Sequence, residues 1–128
     1  MNLLLDTHVF IWWLEESPRL AQSARAAIGV ETNLIYVRVA SAWEIAIKVG
    51  LGKLPEVSEI LANFEEALQD EGFLVLPITV AHARTAGMMV GAHRDPFDRL
   101  LAAQALAEGL TLVTADTKLA GLGAAVLW

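Results

Sequence analysis

The stretch Asn2-Leu3-Leu4-Leu5-Asp6 decides how this chain folds, because a short run rich in leucine, at residues 2–5, is followed directly by an acid. A short run without polar alternation is typical of a strand that is buried on both faces of a parallel sheet. Further runs rich in Leu, Val and Ile have the same character, at residues 33–37, 73–76, 111–114 and 125–127. The sequence therefore predicts a sheet of about five strands.

Helical patterns separate these runs, at residues 8–14, 17–28, 41–50, 56–70, 79–90 and 96–108. Ser17-Pro18 predicts a capped helix start with proline in the first turn, and Gly109 predicts the end of a helix. Strands that alternate with helices indicate an α/β fold with a mostly parallel sheet and right-handed crossovers. A chain of 128 residues without repeats or long linkers is expected to form a single domain over residues 1–128.

The composition argues against several classes of protein. No apolar run reaches the roughly 18 residues of a membrane span, and the N-terminus lacks the basic region of a secretory signal. The absence of cysteine excludes disulfides and thiolate metal sites, which suits a cytoplasmic protein. A net charge of −6 argues against passive binding of nucleic acid, which normally uses a basic surface, although the carboxylates of a metal site would contribute to this charge.

Four acids stand where apolar runs give way to helical segments: Asp6, Glu44, Asp98 and Asp116. If the runs are neighbouring parallel strands, these carboxylates meet at one edge of the sheet. Like charges raise one another's pKa unless a cation compensates them, and hard cations such as Mg²⁺ or Mn²⁺ prefer carboxylate oxygens. The pattern therefore indicates a metal-dependent phosphodiesterase site.

Helix capping is the competing interpretation of the same acids. Asp6 and Asp116 follow strands and could be N-caps, and Ser41 and Glu44 have the spacing of a capping box. Asp95, which precedes a proline, is predicted to cap the following helix. Capping needs only an oxygen-bearing side chain, so it permits these acids without requiring a negative charge at each. The two interpretations are compatible, and the residues alone leave both open.

Four segments carry distinctive motifs: Leu5-Asp6-Thr7-His8, Ala40-Ser41-Ala42-Trp43-Glu44-Ile45-Ala46-Ile47-Lys48, His93-Arg94-Asp95-Pro96-Phe97-Asp98-Arg99-Leu100-Leu101-Ala102-Ala103-Gln104-Ala105 and Val113-Thr114-Ala115-Asp116. Together, and in this order, they resemble the PIN-domain proteins, specifically the VapC-type ribonuclease toxins. The resemblance extends over essentially the whole chain.

This resemblance implies a three-layer α/β/α sandwich, endonucleolytic cleavage of RNA with Mg²⁺ or Mn²⁺, inhibition by a VapB-type antitoxin, and a homodimer. The residues that match the family's catalytic and metal-binding quartet are Asp6, Glu44, Asp98 and Asp116. Thr114 matches the family's hydroxyl residue at a strand end, Thr7 adjoins the first acid, and both are expected to contact the RNA substrate. Arg38 departs from the pattern, since relatives of this kind often carry a small hydroxyl residue at the end of the second strand.

Basic residues near the acids are candidates for contacts with RNA. Arg94 and Arg99 could hold a phosphate, because a guanidinium offers a bidentate fork, although Arg99 could instead pair with a site carboxylate. Lys48 lies four residues after Glu44, where an ion pair along a helix is an equal alternative. The histidines, His8, His82 and His93, lack the paired spacing of a zinc site.

Two other functions remain open at this stage. A catalytically silent PIN scaffold would act only by binding partners, and the intact acidic quartet argues against it. A receiver-like phosphotransfer domain has a similar length and acids at strand ends. Such a domain typically has adjacent acids after its first strand, whereas Asp6 is followed here by Thr7 and His8.

Overall fold

A computed structural model describes residues 1–52, 57–91 and 94–128 of the chain. Its strands are β1 (Asn2–Leu5), β2 (Leu34–Arg38), β3 (Leu74–Leu76), β4 (Thr111–Val113) and β5 (Val126–Leu127). They form one sheet in the order β3-β2-β1-β4-β5, and every neighbouring pair is parallel. The predicted sheet of about five mostly parallel strands is confirmed.

Helices cover both faces of this sheet. They are α1 (Thr7–Leu14), α2 (Gln22–Gly29), α3 (Val39–Gly50), α4 (Ser58–Ala62), α5 (Phe64–Glu71), α6 (Val80–Met88) and α7 (Pro96–Glu108), and a 3₁₀ helix spans Thr117–Leu122. Gly109 ends α7 in the left-handed conformation with φ of 65°, as predicted. No helix within the described ranges is long and apolar enough to cross a membrane.

The strand β1 joins the two helical layers through its alternating side chains. Leu3 and Leu5 belong to the same buried cluster as Phe10 of α1, whereas Leu4 belongs to the opposite cluster with Leu101 of α7. All three leucines are fully buried, and each contributes about 1.5–3 kcal/mol to folding. The sequence-based expectation of a three-layer α/β/α sandwich is therefore confirmed.

The second predicted helix begins later than the sequence suggested. It was expected to start at Ser17-Pro18, but α2 begins at Gln22. Ser17 instead forms a local turn, in which its hydroxyl oxygen accepts a hydrogen bond from the backbone N–H of Arg19 at 3.2 Å. The Ser-Pro pair is thus a turn signal here, because serine side chains satisfy backbone donors in turns as well as at helix starts.

Two further helix boundaries differ from the prediction. The helix expected from residue 41 begins at Val39, because β2 continues to Arg38 and leads directly into α3. The helix expected over residues 56–70 is divided at Asn63 into α4 and α5, while residue 56 lies outside the described residues. The early start of α3 places the Arg38 side chain beside the acidic edge of the sheet.

Candidate active site

Asp6 and the segment containing Asp116 are linked through a threonine at the carboxyl edge of the sheet. The hydroxyl of Thr114 donates a hydrogen bond to Oδ2 of Asp6 at 2.7 Å, and its oxygen accepts one from the backbone N–H of Asp116 at 3.0 Å. Asp6 occupies the N-cap position of α1, yet its side chain makes no capping hydrogen bond. The predicted capping role of the Asp6 side chain is therefore not observed, and its carboxylate is held by Thr114 instead.

Glu44 is fixed by a chain of buried hydroxyl groups. The Thr7 hydroxyl donates to Oε1 of Glu44 at 2.8 Å, and Ser41 Oγ lies 2.9 Å from Thr7 Oγ1. Because Thr7 uses its single hydroxyl hydrogen for Glu44, Ser41 must donate to Thr7. Both hydroxyl residues are fully buried. The proposed capping box of Ser41 and Glu44 is wrong, since both residues lie inside α3, where Arg38 holds the N-cap position.

Arg38 places a guanidinium in the middle of the acidic residues. Its side chain is fully buried, with Nη1 donating to the Phe97 carbonyl oxygen at 3.0 Å and Nη2 to Oε1 of Glu44 at 3.5 Å. Burial lowers the pKa of this guanidinium from its ordinary value. Nearby negative charges act in the opposite direction and raise this pKa. They belong to the carboxylates of Glu44, Asp6, Asp98 and Asp95. One arginine thus interacts with three of the four predicted site acids.

Two acids also cap helices beside the site. Oδ1 of Asp95 accepts hydrogen bonds from the backbone N–H groups of Phe97 at 2.8 Å and Asp98 at 3.3 Å, which confirms the predicted cap of α7. Oδ1 of Asp116 accepts from the N–H of Lys118 at 3.1 Å and caps the 3₁₀ helix. Asp116 therefore has a structural role in addition to any catalytic one, whereas Asp98 lies half-buried in the first turn of α7.

The donor set suits a hard divalent cation, because it consists of carboxylate and hydroxyl oxygens. Among these acids, Asp6 has the oxygen best placed to accept a ligand, because Thr114 occupies Oδ2 and no described residue donates a hydrogen bond to Oδ1. Across the described ranges, however, no three His, Cys, Asp or Glu side chains are close enough to hold one ion together. The structure brings these acids to one edge, and the side chains there are paired with protein groups.

The predicted basic contacts fall in two places. Lys48 lies along α3 with Nζ 3.6 Å from Oε2 of Glu44 and 3.4 Å from Nε2 of His8, so the alternative of a helical ion pair is present. Arg94 and Arg99 line a cavity of about 220 Å³ together with Ala86, Gly87 and Pro96. Nε of Arg99 is buried there and makes no hydrogen bond with the described part of the chain.

The histidines do not form a metal site in the described structure. His82 is buried and makes a capping box with Thr79 at the start of α6, while its Nε2 lies 2.9 Å from Oε1 of Glu108. His8 lies beside Lys48, and His93 lies outside the described residues. The roles of His8 and His82 are local contacts.

Sequence reasoning missed an apolar stripe on α3. Its members are exposed at intervals of four residues, which places them on one helical face: Val39, Trp43, Ile47 and Leu51. Trp43 is 60% exposed and packs edge-on against Phe97, with ring centroids 5.0 Å apart. Because Glu44 and Lys48 follow Trp43 and Ile47 directly, the stripe borders the acidic edge. The sequence signal that could have identified this stripe is the repeat of apolar residues at every fourth position.

Comparison with known proteins gives one consistent result. A family model described as the PIN domain matches residues 3–124. Ribonuclease VapC22 of Mycobacterium tuberculosis is 32% identical over 119 residues, which cover 92% of this chain and 89% of that protein.

Solved structures agree with the fold. The chain resembles VapBC2 from Rickettsia felis, solved with a DNA fragment from its promoter, with a TM-score of 0.73 at 18% identity over 99% of this chain and 98% of the other. It also resembles FitAcB from Neisseria gonorrhoeae, with a TM-score of 0.70 at 21% identity over 98% and 96% of the two chains. At these identities the likeness supports the three-layer architecture.

Proposed function

Because this chain belongs to the PIN-domain family and is similar over most of its length to a VapC ribonuclease, we propose that it is a metal-dependent endoribonuclease toxin inhibited by a VapB-type antitoxin. The observation that carries the proposal is the arrangement at the carboxyl edge of the sheet. There Thr114 orients Asp6, Thr7 holds Glu44, and Arg38 contacts Glu44 directly.

The metal in this proposal is Mg²⁺ or Mn²⁺. Asp6 and Asp98 would hold it directly, and Glu44 and Asp116 would do so directly or through water, because Mg²⁺ keeps several of its waters. A cation held there would supply a water of lowered pKa and a positive charge against the charge that develops on the phosphate. Thr114 keeps one oxygen of Asp6 hydrogen-bonded, which leaves the other oxygen to hold the cation. Thr7 fixes Glu44 in the same way.

Contacts with RNA are proposed for the basic residues on both sides of the acids. The cavity lined by Arg94 and Arg99 lies at the start of α7, directly beside Asp98 in sequence. Both arginines line this cavity, and an arginine that reaches an RNA phosphate can hold its oxygens through charge-assisted hydrogen bonds. Lys48, which is partly exposed, would contact the RNA backbone on the α3 side.

The antitoxin is proposed to cover the stripe of Val39, Trp43, Ile47 and Leu51 on α3. An exposed aromatic residue among aliphatic neighbours is typical of the centre of a protein interface. The stripe borders the acidic edge, so a chain bound to it could also cover the carboxylates.

A homodimer is proposed to form through a second apolar surface, where Met88, Val90 and Leu106 are exposed around a groove of about 420 Å³. Light scattering of the purified protein tests the dimer.

The proposed activity is tested by incubating the purified, antitoxin-free protein with a mixed RNA substrate in Mn²⁺, Mg²⁺ or EDTA. Asp6→Asn removes the carboxylate charge with almost no change in shape, and we expect it to lose at least about a thousandfold in rate. The matched control is Asp70→Asn on the exposed surface of α5, which should retain full activity. Circular dichroism verifies that both variants fold.

Cleavage that needs a divalent cation and disappears only in Asp6→Asn supports the proposal. Cleavage in EDTA, or equal activity of Asp6→Asn and wild type, contradicts a carboxylate-held metal. A folded, metal-binding wild type without activity on any RNA favours the silent scaffold.

A further inference from the structure

Arg38 has the largest side chain among the fully buried residues of the described structure. A guanidinium keeps its charge at any physiological pH, and burying it is unfavourable unless other groups compensate. The sequence offers no hint of burial, because a charged residue at the junction of a strand and a helix normally faces solvent. The burial of Arg38 must therefore be compensated by interactions with neighbouring residues.

Those neighbours are the acids of the proposed metal site. Nη2 of Arg38 contacts Oε1 of Glu44, and the charges of Asp6 and Asp98 also act on the guanidinium. Nη1 is bound to the Phe97 carbonyl, one residue before Asp98, so Arg38 connects β2 to the start of α7. Arg38 Nε is buried, and no described residue accepts a hydrogen bond from it.

Glu44 is engaged on both of its oxygens. Oε1 accepts from the Thr7 hydroxyl at 2.8 Å and contacts Arg38, and Oε2 lies 3.6 Å from Nζ of Lys48. A metal ion that bound Oε1 would have to displace Thr7 or Arg38, and one that bound Oε2 would have to approach beside the positive charge of Lys48. The buried pair with Arg38 resists displacement, because separating it would leave a charge in the protein interior without a partner.

This inference rests on the metal site proposed above: we infer that Arg38 is a fixed cation of that site, which withholds Glu44 from direct ligation and limits the site to one divalent cation per chain. The formal charges agree with this stoichiometry. The quartet and Asp95 carry five negative charges, and Arg38 and Lys48 carry two positive ones, which leaves three more negative than positive charges. One divalent cation reduces this excess to one, whereas a second one would leave the site positive.

The test is a titration of the metal-free protein with Mn²⁺. Calorimetry measures the heat of binding, and electron paramagnetic resonance measures the Mn²⁺ that remains free in solution. Arg38→Met removes the charge at similar length, and Arg38→Lys keeps it. Arg84→Met is the matched control, because it removes one positive charge from the exposed side of α6. Melting curves in EDTA establish that each variant is folded.

We expect wild type, Arg38→Lys and Arg84→Met to bind one Mn²⁺ per chain. Arg38→Met should bind a second ion or bind the first about tenfold more tightly, since a neighbouring positive charge has been removed. Two tests need no change at Arg38. Glu44→Gln should weaken Mn²⁺ binding by no more than about tenfold, which is the size of the charge effect alone, whereas Asp6→Asn removes a direct ligand as well as a charge and should weaken it by at least about a hundredfold.

Two Mn²⁺ ions per wild-type chain would overturn this inference and leave the proposed activity intact. The same holds if folded Arg38→Met binds Mn²⁺ like wild type, or if Glu44→Gln loses affinity as strongly as Asp6→Asn. Absence of Mn²⁺ binding by every protein would overturn the proposed metal site and this inference together.

Discussion

Replacing Thr114 with valine should destabilise the fold and impair the site at once. The two side chains have nearly the same shape, so Thr114→Val removes hydrogen bonds without opening a cavity. The lost bond to Oδ2 of Asp6 is charge-assisted and worth about 1.5–3 kcal/mol, and the backbone N–H of Asp116 loses its acceptor. Valine buries more apolar surface than threonine and so recovers part of this free energy. We therefore expect the free energy of unfolding to fall by about 2–4 kcal/mol.

Urea unfolding followed by tryptophan fluorescence measures this loss. The matched control is Thr111→Val, the same substitution three residues earlier at a half-buried position of β4, which should change the free energy of unfolding by less than about 0.5 kcal/mol. RNA cleavage should fall in Thr114→Val even at temperatures where the protein is fully folded, because Asp6 is no longer oriented. The reasoning is refuted if the two variants are equally stable, or if folded Thr114→Val cleaves RNA at the wild-type rate.

Three other substitutions have definite expected outcomes. Gly109→Ala should destabilise the fold by about 1 kcal/mol in urea unfolding, because the position has φ of 65°, whereas Gly29→Ala at the end of α2 should not. Trp43→Ala should lower stability by less than about 1 kcal/mol, yet weaken antitoxin binding by at least about 2 kcal/mol in calorimetry; equal affinity would exclude the α3 stripe as the docking surface. Arg99→Ala should raise KM for RNA about tenfold, and an unchanged KM would remove this residue from the substrate site.

Much of the fold was predictable because the strands are buried on both faces. A strand such as β1 shows this in its own sequence, and its observed limits, Asn2–Leu5, match the predicted ones. Helix starts were harder to predict. Ser17-Pro18 satisfies the local rules for a helix start, but those rules also describe a turn, and packing elsewhere decided between the two.

The site was predictable in its acids but not in their partners. Local spacing indicated that Ser41 caps α3 and pairs with Glu44, whereas in the fold Ser41 contacts Thr7, 34 residues away. The same limit applies to Arg38, whose environment combines Glu44 with Phe97, 59 residues distant. Contacts of this range depend on which strands are neighbours, and no window of local sequence contains that information.

The central claim is that the carboxylates at the edge of the sheet hold a divalent cation. It is tested most directly by an anomalous difference map from crystals grown with Mn²⁺. We predict one peak per chain within direct bonding distance of Asp6 and Asp98, with Glu44 still paired with Arg38. A map without a peak beside Asp6, at Mn²⁺ concentrations that support RNA cleavage, would contradict the claim.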